Sequence, residues 1–283
     1  MVVGMVVVQR SPLYAPCLRL AVAEVRFPFA PALLDADSLR ALATALSPEF
    51  PVVRPMMPNG LGWSLSGGVA TSELPGVQAS QQAYRFMSRD MFSSVSIGPT
   101  VCAIETTSYD AWETFKVTLA RALHVIGDQL AAIAGVDRIG LRYWNEVRLA
   151  EPNDEISVEQ LTRYLAPEAI SVHALSSRLI EYPVVEAQSM TRLESRDGRQ
   201  VIVRHGFLRG AAVGESPLKL PTPLRSDHYY LVDLDSSATF ASAPLEAFDI
   251  GRTLALADSL HEPLRRLFDA IVRLDGVPSI SGG

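Results

Sequence analysis

The chain is 283 residues long, 48% hydrophobic and 20% charged, with a formal net charge of −6. Such a composition buries a substantial core in one large domain or two small ones, and it lacks the polar bias of a disordered chain. The acidic balance argues against general nucleic-acid binding and against a basic membrane-surface protein, and no apolar run approaches the roughly 18 residues of a membrane span.

The opening MVVGMVVVQR is apolar but short, without a basic leader or a small-residue cleavage site, so a cytoplasmic protein is expected. Residues 17–29 (CLRLAVAEVRFPF) read as a strand. Asp35 then caps a short helix whose Leu39, Leu42 and Leu46 recur at spacings of three and four. Residues 51–57 are extended, and 58–76 form a loop rich in Gly, Ser and Pro. Three β signals follow, AYRFMS, FSSVSIG and TVCAIETTSY, the first two joined by Arg89 and Asp90 as in a hairpin. The clearest helix spans 111–130, where Asp110 and Glu113 have capping-box spacing. Trp112, Phe115, Leu119, Leu123, Ile126 and Leu130 make its apolar stripe.

A strand at 138–149 (RIGLRYWNEVRL) opens a second round of the same pattern. Ser157 starts a helix over 157–165, residues 178–186 and 189–194 are extended, and 195–198 turn into QVIVRHGF. A Gly/Pro-rich loop at 209–226 leads to HYYLVDLD, and a long helix over 250–272 follows, with Pro263 placed to kink or divide it. Segments 1–11 and 276–283 are read as tails.

The two rounds share local sequence. Glu24-Val25-Arg26-Phe27 matches Glu146-Val147-Arg148-Leu149, and the same even offset carries Asp35 onto Ser157 and Leu39 onto Leu161. Ser88-Arg89-Asp90 matches Ser195-Arg196-Asp197 at a shorter offset, as a longer loop in the first half would give. The expected fold is therefore α+β: an internal duplication of a β-α-β-β-β-β-α unit, residues 12–136 and 137–275, with a curved antiparallel sheet and two long helices on one face. An even offset preserves strand faces. Val147, Tyr143, Leu141 and Ile139 face the helices, while Arg142, Trp144, Glu146 and Arg148 share the other face, as do Glu24 and Arg26 in the first copy. If the leading strands lie side by side, Glu24 meets Arg148 and Glu146 meets Arg26 in reciprocal ion pairs. The competing reading is a binding groove floored by Arg142, Trp144 and Arg148, suited to an anionic or planar ligand. Asn145 falls on the apolar face, where its amide needs partners.

The doubled element order resembles the tandem repeat of the TATA-box-binding fold and its helix-grip relatives, a similarity of order alone. A closer resemblance is to a sporadically distributed family of uncharacterised bacterial proteins of about this length. It is carried by Pro12-Leu13 with Ala15-Pro16, Glu24-Val25-Arg26-Phe27, the blocks over 84–115 and 138–145, and Leu231 to Asp235. Leu260-His261 and Phe268 complete it. The resemblance implies these domain boundaries and no catalytic residue; its patchy distribution implies accessory genes of the defence or toxin–antitoxin kind.

No phosphate loop, zinc-type Cys/His spacing, nucleophile elbow or dinucleotide fingerprint is present, and no cofactor is expected. Cys17 and Cys102 read as buried free thiols. Lys116 and Lys219 are the only lysines, leaving little scope for Schiff-base chemistry. The best chemical constellation is Asp233 and Asp235 on one strand with His205 on a neighbour, a set able to hold a divalent metal or do acid–base work. His228 and His261 are read as a strand-end residue and a core histidine. The leading expectation is a non-enzymatic binding or assembly protein, engaging a protein partner or a second copy of itself, with a small ligand as the lesser alternative. Its rivals are a metal-assisted hydrolase or nuclease using Asp233, Asp235 and His205, and a ligand pocket between sheet and helix lined by Tyr143, Trp112 and Phe115.

Overall fold

The structure, a computed structural model, describes residues 17–28, 35–56, 83–129, 135–149, 163–170, 185–211, 217–240 and 248–273. Among the described residues nine strands form one antiparallel sheet: β1 (Leu18–Arg26), β2 (Val52–Met56), β3 (Ala83–Met87), β4 (Ser93–Gly98), β5 (Val101–Thr106), β6 (Arg138–Val147), β7 (Ala187–Glu194), β8 (Arg199–Arg209) and β9 (His228–Thr239). Their order is β2-β3-β4-β5-β1-β6-β9-β8-β7, so β1 and β6 lie side by side at the centre. Among the described residues the longer helices are α1 (Ala36–Leu46), α2 (Trp112–Gln129) and α3 (Ile250–Ile271), and a single helical turn covers 167–170. The fold is α+β.

The helices cover one face of the sheet. Trp112, Phe115, Leu119, Leu123 and Ile126 of α2 are buried in the same cluster as Leu260 and Leu264 of α3 and the strand residues Ala21, Val25, Leu141, Tyr143, Val232 and Leu234. The expected stripe of α2 is therefore its buried face, with Leu130 outside the described residues. Helix α3 remains one element across Pro263. Asp35 caps α1 as expected, accepting from the amides of Asp37 (3.1 Å) and Ser38 (2.7 Å).

Two hairpin turns are built alike. The Ser88 hydroxyl lies within hydrogen-bond distance of two acceptors, the Asp90 carboxylate (2.6 Å) and the Ser93 carbonyl (3.1 Å), and accepts from the Ser93 amide (3.0 Å). The Ser195 hydroxyl is placed in the same way toward Asp197 and Arg199. The αL residue that each turn needs is Met91 (φ 68°) in the first and Gly198 (φ 79°) in the second. Among the described residues, 163–165 form a turn and an isolated bridge, so no helix reaches the end of the expected 157–165 segment; 157–162, 171–184 and both tails lie outside the described residues.

Candidate functional site

The sheet face away from the helices carries the charges, and strand register decides how they meet. Opposite residues share a face. Arg142 on β6 therefore stands with Asp235 on β9 and Ile202 on β8, and Trp144 stands with Asp233 and Arg204. Asp233 is fully buried. It accepts a two-pronged bond from Arg142 (2.8 and 2.7 Å), with the Arg204 guanidinium 3.3 Å from the same carboxylate. The Arg142 guanidinium also lies over the Trp144 ring, 4.5 Å from its centroid. Asp235 is paired more loosely, 3.8 Å from Arg138, and burial pushes its carboxyl above the usual range against the nearby arginines.

The reciprocal pairing expected of Glu24 with Arg148 and Glu146 with Arg26 is not formed. In the observed register Glu24 stands opposite Gly140 and Arg26 opposite Arg138, so Arg148 lies eight positions beyond the partner of Glu24, roughly 26 Å along the strand. Glu24 is instead held by Arg138 (2.6 Å) and by Arg26 of its own strand (2.7 Å). Glu146 meets Arg148 (3.0 Å) and Arg19 (3.4 Å). Arg19 reaches it because β1 has a bulge between Leu18 and Leu20, which inserts one extra residue opposite β6.

Two of the three residues of the expected groove floor are covered, and Arg142 is part-buried. Trp144 and Arg148 are each 1% exposed. Arg148 is consumed by Glu146, by the Asp227 carboxylate (3.1 Å) and carbonyl (2.9 Å), and by the Gly210 carbonyl, and it lies 4.5 Å over the Tyr229 ring. Residues 217–227 run across this end of the sheet. Lys219 amide bonds Met91 carbonyl (2.8 Å), Thr222 receives Arg19, and Arg225 ties Asp227 (2.6 Å) to the Leu149 carbonyl (2.9 Å). On the other half of the same face, Glu105 is 1% exposed, bridged to Arg85 (3.2 Å) and accepting from Ser94 (2.9 Å).

The catalytic constellation is split by the sheet. His205 stands opposite Val232 and so points to the helix side, where its Nδ1 is 2.7 Å from the Tyr230 hydroxyl. Asp233 and Asp235 point the other way. Among the described residues no group of three or more His, Cys, Asp or Glu side chains is arranged to hold a metal ion. His228 stacks on Phe207 (4.8 Å, 6°), also on the helix side.

The space expected to form a sheet–helix pocket is filled. His261 stacks on Trp112 (4.6 Å, 8°) and its Nδ1 is 2.9 Å from the Tyr143 hydroxyl. Asp258 accepts from Trp112 (2.8 Å) and Lys116 (2.6 Å), and Tyr109 closes the cluster against Phe115 and Tyr143. Burial lowers the His261 pKa and raises that of Tyr143 well above the phenol value, so both rings are neutral at pH 7. A cavity of ≈ 80 Å³ beside Tyr109, Thr106 and Thr114 is well below the roughly 300 Å³ at which small-molecule sites begin. Asn145 donates to the Val232 carbonyl (3.0 Å), a structural bond that satisfies the buried amide.

Arg19, Arg85, Arg138, Arg204 and Asp227 complete the charged network and were not singled out by the sequence pattern. The composition gave one signal, a predominance of arginine over lysine, the cation best suited to buried two-pronged pairing. The opposite situation holds at β7, the outermost strand beyond β8 among the described residues, where every residue from Met190 to Glu194 is exposed. No family model matches the chain, and a search of curated proteins gives no match. Fold and site define an α+β protein with one helix-covered face and one face of internally neutralised charge. No helix of the described residues is long and apolar enough to cross a membrane.

Proposed function

We propose that this chain is a non-enzymatic assembly protein, built from two copies of one α+β unit, that engages a protein partner through the open edge of its sheet. The observation that carries this reading is the contrast between its two kinds of polar surface. Asp233, Glu105 and Glu146 are neutralised by arginines inside the fold, whereas β7 has no strand on its outer side among the described residues and exposes apolar side chains. An extended partner adds to such an edge by main-chain hydrogen bonds.

Three features support the duplication. The offset that aligns Glu24 with Glu146 also aligns Ala21 with Tyr143, and these two residues are partners in the central strand pair, where a twofold axis would pass. β5 and β9 flank the centre on either side, each carrying a buried carboxylate held by arginine, Glu105 and Asp233. The Ser88 and Ser195 turns use one hydrogen-bond scheme. An accessory bacterial system of the defence or toxin–antitoxin kind is the setting the family resemblance implies.

Native mass spectrometry on protein drawn gently from its host tests this function. A bound polypeptide is the expected result. A stoichiometric metal or small molecule, with no polypeptide, would overturn it.

A further inference from the structure

We infer that the polypeptide received by β7 is a second copy of this chain, paired antiparallel about a twofold axis at Ser189. The inference rests on the assembly reading above and commits it to one partner. Ser195 amide donates to the Arg199 carbonyl (2.8 Å), which makes this a hydrogen-bonded pair of the β7–β8 ladder. Alternation along the ladder then turns the backbone groups of Gln188, Met190, Arg192 and Glu194 outward.

Only a few registers join two such edges, and the side chains choose among them. An axis at Met190 sets Glu186 against Glu194 of the other copy, and an axis at Arg192 sets Arg192 against itself. Both oppose like charges. An axis at Thr191 leaves Leu193 facing Ser189. With the axis at Ser189, Glu186 meets Arg192 twice, once on each side of the axis, on the charged face. Val185 meets Leu193 twice on the other face. Val185 and Leu193 are 71% and 51% exposed, so this register covers two of the large apolar side chains left in solvent. The opposite edge competes poorly: Pro55 removes an amide from the five-residue β2. Self-pairing of β7 also closes after two copies, where a β7–β2 contact would grow without limit.

The test is a charge exchange read by analytical ultracentrifugation and light scattering of the full chain. Wild type is expected to be a dimer. Glu186→Arg and Arg192→Glu, both at exposed positions, each place like charges opposite one another twice and raise the dimer dissociation constant by about ten-fold or more. Mixing the two variants restores complementary pairs, so a heterodimer forms where neither variant dimerises alone. Circular dichroism confirms that each variant is folded. Dimers insensitive to both substitutions would overturn the inference, as would single-variant loss without recovery on mixing. A wild-type monomer that holds a different polypeptide in native mass spectrometry would sink the self-pairing and leave the assembly reading standing. A monomer that holds only a metal or small molecule would sink both.

Discussion

Replacing Asp233 by alanine is expected to destabilise the fold by about 3 kcal/mol, and the structure sets both the sign and the size. Asp233 is fully buried and receives both prongs of Arg142, while Arg204 approaches the same carboxylate. Removing one partner of a buried pair leaves uncompensated charge, at a cost of about 3–5 kcal/mol. Here the stranded arginines are 20% and 19% exposed, so water reaches them in part and the lower end applies. In a chain of this size about 3 kcal/mol lowers the thermal midpoint by roughly 6–12 °C. Calorimetry measures it, with Asp37→Ala as the control, because the Asp37–Arg40 pair lies on the surface and should leave the midpoint unchanged. A metal-binding or catalytic Asp233 predicts the reverse, since active-site acids are commonly held at the expense of stability. An unchanged or raised midpoint in Asp233→Ala would refute the structural role argued for this carboxylate.

Asp235 should behave oppositely to its neighbour. Burial raises its folded pKa, so its ionisation costs stability as pH rises from about 4 through the raised value. Asp235→Asn is therefore expected to match wild type at acid pH and to exceed it at pH 7, in paired urea titrations; a less stable variant at pH 7 would show that Arg138 outweighs burial. His261 has a depressed folded pKa, chiefly from burial, so it contributes stability present above its unfolded pKa, about 6.5, and lost as pH falls below that. His261→Phe keeps the stack on Trp112 but drops the bond to Tyr143, and it should flatten this part of the pH profile. The thiols of Cys17 and Cys102 are pushed up by burial to about 11 and about 12. Neither should react with a disulfide reagent at pH 8 in the native protein, and both should react once it is unfolded; fast native labelling would contradict their burial.

The parts of the fold legible in the sequence are those fixed by local periodicity. The α2 stripe from Trp112 to Ile126, the Asp35 cap and the alternation of Ile139, Leu141 and Tyr143 all depend on positions a few residues apart. The match of Glu24-Val25-Arg26 to Glu146-Val147-Arg148 raised the placement of β1 beside β6 as a condition, and the two strands do pair. What failed required the register between strands, which no single segment encodes. Alternation shows that Asp233 and Asp235 share a face, but only the β8–β9 pairing reveals that His205 belongs to the other one. A one-residue slip moves a whole strand's side chains across the sheet. The bulge at Leu18/Leu20, which brings Arg19 to Glu146, has no local signature comparable to a cap or a turn.

Strand register also separates the charged segment 138–149 from a binding site. Its arginines are spaced by four and six residues, so each reaches a different acid: Arg138 to Glu24 on β1, Arg142 to Asp233 on β9, Arg148 to Asp227 ahead of β9. A binding groove for an anion would leave guanidinium groups with unmet donors facing a common space. Here the two-pronged geometry of Arg142 and the four acceptors around Arg148 use those donors internally. Removing an acid elsewhere on the face cannot open a ligand site without first leaving an arginine buried and unpaired. Selection for stability and selection for ligand binding would thus act against each other on this face. At β7 no such conflict arises, because a strand added to its edge would bond backbone groups for which the described residues supply no neighbouring strand.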